Sequence, residues 1–322
     1  DGTVFDYSGD RAAMEAQINQ IEPRDVAGYR SFLDESRRIY EVAFEQLAHK
    51  PFHSLLFTAK TLARLVRLGG YRSVYSVVSK HFRSDKLRTL FSFHPLLIGG
   101  NPFSATSFYC LIAHLEGKYG VHHAIGGTNA LVRGIASLVT RNGGLIRLNE
   151  TVVEIETEGR RATGVRLASG EQIAADIVVS NADPAKTYGN LLKTYPRRRW
   201  TDAKLAKGHY SMSLFVWYFG TDRRYDDVLH HTMLFGPRYR GLLDDIFRTH
   251  RLAEDFSLYL HRPTASDASL APEGCDSFYV LSPVPNLASG TDWAEAAERY
   301  RRKIEKRLEE TVLPDLSRHI VT

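Results

Sequence analysis

The 322-residue sequence contains only two cysteines, Cys110 and Cys275. Two thiols cannot build the disulfide framework of a small secreted protein, and so low a number is typical of proteins kept in the reduced cytoplasm. The sequence also has no low-complexity segment and no internal repeat. Hydrophobic residues make up 43% of the chain and charged residues 25%, which excludes a disordered or collagen-like protein. We therefore expect a folded protein with a large core and, from its length, about two domains.

Charge of one sign is not in large excess either. Lys and Arg number 42 and Asp and Glu number 37, so the formal net charge is +5. A surplus this small over 322 residues gives no electrostatic reason to bind nucleic acid. We therefore expect no nucleic-acid partner.

Charged side chains are missing altogether from Thr89 to Leu115, a run of 27 residues. A run of that length can cross a bilayer. Pro95, Gly99 and Pro102 interrupt it, however, and an interrupted backbone would leave amide and carbonyl groups unpaired in lipid. We expect instead two helices joined by a Gly-Pro turn, buried in protein or lining an apolar cavity.

The common signatures of catalysis and cofactor binding are absent too. The sequence has no G-x-G-x-x-G turn, no P-loop, no G-x-S-x-G elbow and no cysteine pair at zinc spacing. The adjacent pairs His122-His123 and His230-His231 cannot place both members on one helix face. Neither pair by itself predicts metal ligation, and we predict no metal site.

Apolar periodicity predicts a mixed protein of the α/β or α+β class. Helices are predicted over residues 10–48, 52–68, 128–141 and 292–310. Strands are predicted over residues 145–148, 152–156, 163–167, 172–179, 211–219, 256–260 and 277–282. The first four runs form a predicted strand meander. Residues 211–219 are apolar on both faces, which predicts a central strand.

Three stretches carry a more specific signal. The first reads FSFHPLLIGGNPF at 91–103. The second comprises GGT at 126–128, NGG at 142–144, LNETVVEI at 148–155 and DIVVSNAD at 176–183. The third comprises FGPRY at 235–239, EDFSLYL at 254–260 and LAPEG at 270–274. Together, over nearly the whole chain, these stretches resemble the bacterial phytoene desaturases, which are FAD-dependent carotenoid desaturases of the flavin amine-oxidase superfamily.

The resemblance implies a flavoenzyme that binds FAD and introduces trans double bonds into phytoene, toward lycopene or a related carotene. It implies phytoene and partly desaturated carotenes as substrates and an electron acceptor such as a quinone or oxygen. It also implies a cytoplasmic enzyme held peripherally at a membrane surface, because phytoene dissolves in the bilayer.

Enzymes of this kind begin with a G-x-G-x-x-G turn and end with a second glycine-rich flavin segment, and this sequence has neither. We therefore expect an internal fragment that binds FAD poorly and does not turn over alone. The implied fold class is α/β: an incomplete Rossmann-like FAD domain with a strand meander, and an α+β substrate domain. Residues 1–119 and 186–310 would form the helical and the sheet-containing parts of the substrate domain. Residues 120–185 would return to the FAD domain, and 311–322 would start a second, truncated return.

The resemblance also assigns residues to the cofactor. The backbone of Val152 would contact the FAD adenine, and Asn181 and Ala182 would end a strand near the cofactor. Gly126 and Gly127 would bring backbone close to the flavin and the substrate, since glycine has no Cβ. Related enzymes usually have a proline two residues before this glycine pair, and here that stretch reads Ala-Ile.

A polyene offers no hydrogen-bonding groups, so only shape and burial can hold it. Six apolar residues would line a long substrate tunnel: Phe91, Phe93, Leu96, Leu97, Phe103 and Phe108. Their alternative role is ordinary core packing. Desaturation also releases a proton, which a base or a nearby charge would assist. Lys60, whose pKa burial would lower, and His94 are the candidate catalytic residues.

Two basic surfaces are candidates for membrane docking: the stripe Lys60, Arg64 and Arg67, and the segment Arg197–Lys207 with Trp200. A solvated face is the alternative for each. For the whole protein, the alternatives are a carotenoid isomerase, a ketolase-like oxygenase or a dehydrosqualene desaturase. A non-redox lipid-binding or scaffold module remains a further alternative if the chain is complete.

Overall fold

The computed structural model describes residues 2–52 and 54–322. The chain forms two compact units, one made of Asp1–Thr128 with Ser211–Thr322 and the other of Asn129–Tyr210. Each unit contains helices and strands, which confirms the predicted mixed α/β class. The domain boundaries expected at residues 119, 185 and 310 stay a prediction, because compactness alone does not assign a unit to a cofactor or a substrate.

The helices are named in chain order. They are α1 (Arg11–Ile21), α2 (Asp25–Ile39), α3 (Leu55–Arg67), α4 (Val74–His81), α5 (Asp85–Ser92), α6 (Leu111–Tyr119), α7 (Gly127–Arg141), α8 (Pro184–Lys186), α9 (Asp202–Ala206), α10 (Tyr239–Phe247), α11 (Trp293–Glu309) and α12 (Leu316–His319). The strands are β1 (Val152–Glu158), β2 (Arg161–Leu167), β3 (Gln172–Ala174), β4 (Ser213–Thr221), β5 (His231–Leu234), β6 (Leu258–His261) and β7 (Asp276–Val284).

In the first unit, α1, α2, α4, α5 and α6 contribute to a helical core of buried apolar residues. The ring of Phe91 lies at its centre, stacked on Phe82 at 4.7 Å and tilted against Phe32 at 5.7 Å. The uncharged run from Thr89 to Leu115 forms the end of α5, two 3₁₀ helices (His94–Ile98 and Ser107–Cys110) and the start of α6. The predicted Gly-Pro interruption at residues 99–102 is present, but short 3₁₀ helices stand between the two predicted helices. No helix among the described residues combines the length and apolarity that a membrane span needs.

The first unit also contains a four-stranded antiparallel sheet in the order β4-β7-β6-β5. Helix α11 packs on one face of it, where the ring of Phe215 contacts Trp293 at 5.7 Å and Tyr300 at 5.2 Å. The prediction that residues 211–219 form a central strand is wrong, because β4 is an edge strand of this sheet and β7 is central. Leu214, Val216 and Tyr218 on one face of β4 are 47%, 38% and 72% exposed. Apolar side chains on both faces of a strand therefore do not show that it has a neighbour at each edge.

The second unit contains the antiparallel meander β1-β2-β3, which confirms three of the four runs predicted for the meander. Residues 145–148 and 175–179 are not strands, contrary to prediction. Leu145 is 91% exposed and Val179 is 87% exposed. Among the described residues, neither segment pairs with a strand. Alternating apolar residues form a strand only where a neighbouring strand accepts their backbone hydrogen bonds, and these two segments have no such neighbour.

Helix α7 has an apolar face that nothing in its own unit covers. No residue of α7 is buried. Five large apolar side chains on this helix are each at least 40% exposed, namely Leu131, Val132, Ile135, Leu138 and Val139. Their spacing places them on one side of an ideal helix. We call this surface the α7 face.

A buried ion pair joins the ends of β6 and β7. The guanidinium of Arg262 donates from Nε to Asp276 Oδ2 at 2.9 Å, from Nη1 to the carbonyl of Val228 at 2.7 Å and from Nη2 to Asp226 Oδ1 at 3.0 Å. The side chains of Arg262 and Asp276 are 2% and 0% exposed. Asp276 also accepts from Thr264 Oγ1 at 2.6 Å. Both charges are therefore fully hydrogen-bonded, which a buried ion pair requires.

Replacing Arg262 with methionine should destabilise the protein by about 3–5 kcal/mol, because it leaves the Asp276 carboxylate buried without its counter-charge. The measurement is the urea midpoint of unfolding. A double variant with Asp276→Leu should recover much of the loss, since the unpaired charge is then gone.

The matched control is Arg302→Met, which removes an exposed pair with Glu298 whose side chains are 73% and 56% exposed. It should cost less than about 1 kcal/mol. Equal and small effects at Arg262 and Arg302 would show that the buried pair contributes nothing special to stability.

Candidate functional site

The Gly126-Gly127 loop has the open backbone that its predicted role needs. Both glycines have positive φ, +83° and +73°, a region that side-chain-bearing residues rarely adopt. A Cβ at Gly127 would meet only Leu270 Cδ2, at 3.9 Å, so the space beside the loop is free on that side.

A buried carboxylate fixes this loop. Asp267 Oδ2 accepts the Gly126 amide at 2.6 Å, and its Oδ1 accepts the hydroxyl and the amide of Ser269 at 2.6 and 3.1 Å. The hydrogen bonds from Ser269 and from the Gly126 amide lower the pKa of Asp267. The loop that lacks the usual proline is therefore held by a charge-assisted hydrogen bond, which is stronger than a neutral one.

His94, a candidate catalytic residue, is 1% exposed. Its Nε2 lies 3.1 Å from Glu116 Oε2, and its ring stacks on Phe93 at 4.5 Å. The ring of Tyr7 approaches edge-on at 6.4 Å. A buried histidine hydrogen-bonded to a carboxylate can be held in one tautomer and orientation. The arrangement suits a proton carrier and equally suits a structural contact, so the catalytic role stays a prediction.

Lys60, the other candidate, lies on α3 and is exposed. Among the residues of α3 only Thr61 is buried. The structure therefore places Lys60 at the surface, and exposed apolar residues of α3 such as Leu56 and Leu62 face outward as well. An exposed position of this kind gives no support for Lys60 as a catalytic base.

The six predicted tunnel residues lie in several different surroundings. Phe91 is 1% exposed and belongs to the helical core. Phe93 is 9% exposed, and its ring meets that of Phe235 at 5.9 Å. Leu96 and Phe103 pack against the apolar cluster around α10, and Phe108 packs against the helical core. Leu97 is 57% exposed. The tunnel stays a prediction, and for Phe91 the contacts are those of ordinary core packing.

Two surface grooves, of about 520 and 500 Å³, run along α11. Charged side chains such as Glu295, Arg299 and Lys303 line both. None of the predicted tunnel residues lines either groove, and a polar wall of this kind does not suit a polyene.

In the second unit, Val152 opens the edge strand β1, so one side of its backbone has no strand neighbour in the described meander. Asn181 and Ala182 are exposed in the turn before α8. Asp183 caps that helix by accepting the Ala185 amide at 2.7 Å. These three predicted cofactor residues are accessible, and their contacts with a cofactor stay predictions.

The structure also assembles a histidine cluster that the sequence analysis missed. One ring nitrogen from each of His123, His230 and His261 lies within 4.8 Å of those of the other two. The sequence pattern suggested metal ligation only for histidines that are adjacent in the chain, whereas His261 comes 31 residues after His230. The signal that could have found the cluster is the antiparallel pairing of β5 with β6, which brings His231 opposite His261.

Comparison with known proteins places these features in a family. A model described as flavin containing amine oxidoreductase matches residues 2–316. The neurosporene-forming phytoene desaturase of Rhodobacter capsulatus is 46% identical over 99% of this chain and 62% of its own length. The lycopene-forming phytoene desaturase of Pantoea ananas is 45% identical over 100% of this chain and 65% of its own length. The chain thus spans less than two thirds of these curated relatives.

A solved oxidoreductase from Methanosarcina mazei superposes with a TM-score of 0.54 at 17% identity, covering 79% of this chain and 57% of its own. At that identity the likeness shows a shared fold.

Replacing Asp267 with alanine should loosen the glycine loop, because the Gly126 amide loses its acceptor. We expect faster amide exchange in peptides covering residues 120–128, measured by hydrogen–deuterium exchange. Asp267→Asn should exchange more slowly than Asp267→Ala, since the amide oxygen still accepts. Loop exchange that is unchanged in Asp267→Ala would mean that this carboxylate does not hold the loop.

Proposed function

Because the chain belongs to the family of flavin-containing amine oxidoreductases, we propose that it is the central part of an FAD-dependent phytoene desaturase. The observation that carries the proposal is 44–46% identity to five curated bacterial phytoene desaturases over 97–100% of the chain. The proposed reaction introduces trans double bonds into phytoene, toward lycopene or a related carotene. The same sequence identity favours this reaction over those of a carotenoid isomerase, a ketolase-like oxygenase or a dehydrosqualene desaturase.

The residues present fit a flavin in part. The glycine loop offers open backbone, and the edge position of Val152 leaves backbone accessible for an adenine contact. A G-x-G-x-x-G turn for the pyrophosphate is not in this sequence. When bound, FAD would supply the acceptor for a hydride equivalent. The chain's own contribution would be to position the flavin ring and to exclude water beside it.

The α7 face supports a larger flavin domain around these residues. Five apolar side chains on one helix face are costly to leave in water, at about 25 cal/mol for each Å² of apolar surface. The curated relatives are longer than this chain. We propose that further elements of a flavin domain, outside the 322 residues, pack on the α7 face.

The proposed substrate also needs a base or a charge near the carbon that loses a proton. Of the two sequence candidates, His94 with Glu116 is the better placed, because it is buried among aromatic rings. Reoxidation after each desaturation needs an acceptor, and we propose a quinone or oxygen.

A membrane surface is the proposed source of the substrate, and α3 is the proposed contact. Leu55, Leu62 and Val66 are 89%, 58% and 48% exposed. On an ideal helix they lie within about 40° of one another. Leu56, which is 67% exposed, lies beside this apolar strip, and the exposed residues Lys60 and Arg67 lie within about 40° of Leu56. Apolar side chains beside basic ones are what an interfacial helix presents to acyl chains and anionic headgroups.

The second predicted docking surface, Arg197–Lys207, is less available. Arg197 is paired with Asp202 at 2.7 Å, and its side chain is 8% exposed. Lys204 lies over the Trp200 ring at 4.5 Å. These internal contacts favour α3 as the main docking element.

A chimera tests the proposed reaction. In it, this chain replaces the matching segment of the Pantoea ananas enzyme, which aligns with all of it. Expressed in a phytoene-accumulating host, the chimera should convert phytoene to coloured carotenes, detected by chromatography and visible absorbance. A folded, flavin-loaded chimera that leaves phytoene unchanged would contradict the proposal.

Two controls sharpen the result. The 322-residue chain alone should contain no stoichiometric flavin and should not turn over, since it lacks the pyrophosphate turn. A chimera carrying Gly126→Val should lose flavin or activity, because valine cannot adopt a φ of +83° without strain.

Membrane docking is tested by co-sedimentation of the chain with vesicles containing anionic phosphatidylglycerol. Reversing charge at Lys60, Arg64 and Arg67 to glutamate should weaken binding roughly 100-fold, at about 1 kcal/mol for each basic residue lost. Raising the salt concentration should release the unmodified chain in the same assay.

The matched control reverses three other exposed basic residues, Arg302, Lys306 and Arg318, whose side chains are 73%, 77% and 81% exposed. It changes the net charge equally and should weaken binding far less. Equal losses in both variants, or binding that salt does not release, would argue against docking through α3.

A further inference from the structure

The ends of β5 and β6 and the loop before α7 bring three imidazoles together. The rings of His230 and His261 lie with their centroids 4.7 Å apart, and His230 lies 4.8 Å from His123. His230 Nε2 and His261 Nε2 are 2.9 Å apart. All three side chains are partly buried, so the cluster is neither a solvated surface patch nor sealed in the core.

Two ring nitrogens in the cluster have no hydrogen-bond partner. His123 Nε2 and His261 Nδ1 are buried and unpaired. A buried polar atom left without a partner costs about 1–3 kcal/mol. With these nitrogens unpaired beside a short contact between His230 and His261, the three rings form an arrangement that would suit a shared cation.

The surrounding contacts orient the rings. His230 Nδ1 lies 2.6 Å from Ser266 Oγ, which fixes that ring and leaves Nε2 toward the cluster. Hydrogen bonds of this kind to the second nitrogen are usual for metal-binding histidines. The backbone is fixed as well, since the Arg262 amide donates to the His230 carbonyl at 2.9 Å.

We infer that His123, His230 and His261 form a binding site for a divalent transition-metal ion. Imidazole nitrogens favour Zn²⁺, Co²⁺, Ni²⁺ or Cu²⁺ over Mg²⁺ and Ca²⁺, which prefer oxygen ligands. Tetrahedral Zn–N bonds of about 2.0–2.1 Å need ligand nitrogens about 3.3 Å apart, so small side-chain rotations suffice. Three protein ligands leave a fourth position for water or another ligand. The inference does not depend on the proposed desaturase function.

The test is a titration of the purified, metal-free 322-residue chain with Co²⁺, followed by its visible d–d absorption, and with Zn²⁺ by calorimetry. One equivalent should bind at micromolar concentration or tighter. His123→Ala and His261→Ala should each weaken binding by at least about 100-fold, more than the loss of an outer hydrogen bond. Circular dichroism establishes that each variant is folded.

The matched control is His122→Ala, next to His123 in the chain. His122 Nε2 lies 2.6 Å from the Tyr119 carbonyl and belongs to no part of the cluster. This variant should bind Co²⁺ like the unmodified chain. Failure of the unmodified chain to bind one equivalent would overturn the inference. So would equal losses in His122→Ala and His123→Ala, or binding that survives His123→Ala in a folded protein.

Discussion

The buried pair of Arg262 and Asp276 determines how one end of the large sheet is arranged. The Arg262 guanidinium binds the carbonyl of Val228 in the loop before β5, and the Arg262 amide binds the carbonyl of His230. Asp276 at the start of β7 also accepts from Thr264, just beyond β6. Because both charges would be very costly alone in the core, the loop, the turn and two strands must assemble together or not at all. The positions of His230 and His261 follow from that assembly.

The exposed apolar faces on α3 and α7 call for different partners, and charge distinguishes them. On an ideal helix, Lys60 and Arg67 lie within about 40° of Leu56, at the border of the exposed apolar residues of α3, whereas Arg133 lies about 100° or more from every apolar residue of the α7 face and Arg141 is the last residue of that helix. Basic residues at the border reach anionic headgroups while apolar residues enter the acyl region. A face without such a border suits contact with another apolar protein surface. The same exposed-apolar signal therefore supports a lipid partner in one case and a protein partner in the other.

Sequence reasoning predicted the elements whose signal is local. Helices α7 and α11 and strands β1 and β2 begin and end within two residues of their predicted bounds, because periodicity, caps and turns act within a few residues. It was wrong where strand pairing depends on distant parts of the chain, as with the position of β4 in the sheet. The glycine loop was found by resemblance, but its anchor Asp267, 141 residues away, was not. The histidine cluster needed the register of β5 on β6, which no local pattern contains.

The histidine cluster and the glycine loop share their supports, so they are mechanically one region. His123 lies three residues before Gly126, and the Gly126 amide is held by Asp267. Asp267 directly follows Ser266, whose hydroxyl lies 2.6 Å from His230. A ligand that draws His123 toward His230 would therefore act on the loop by two routes. One route is the backbone from His123 to Gly126, and the other runs from His230 through Ser266 and Asp267 to the Gly126 amide. If this loop approaches a flavin, as proposed above, binding at the histidines would act on the loop's flavin contacts through a few covalent and hydrogen bonds.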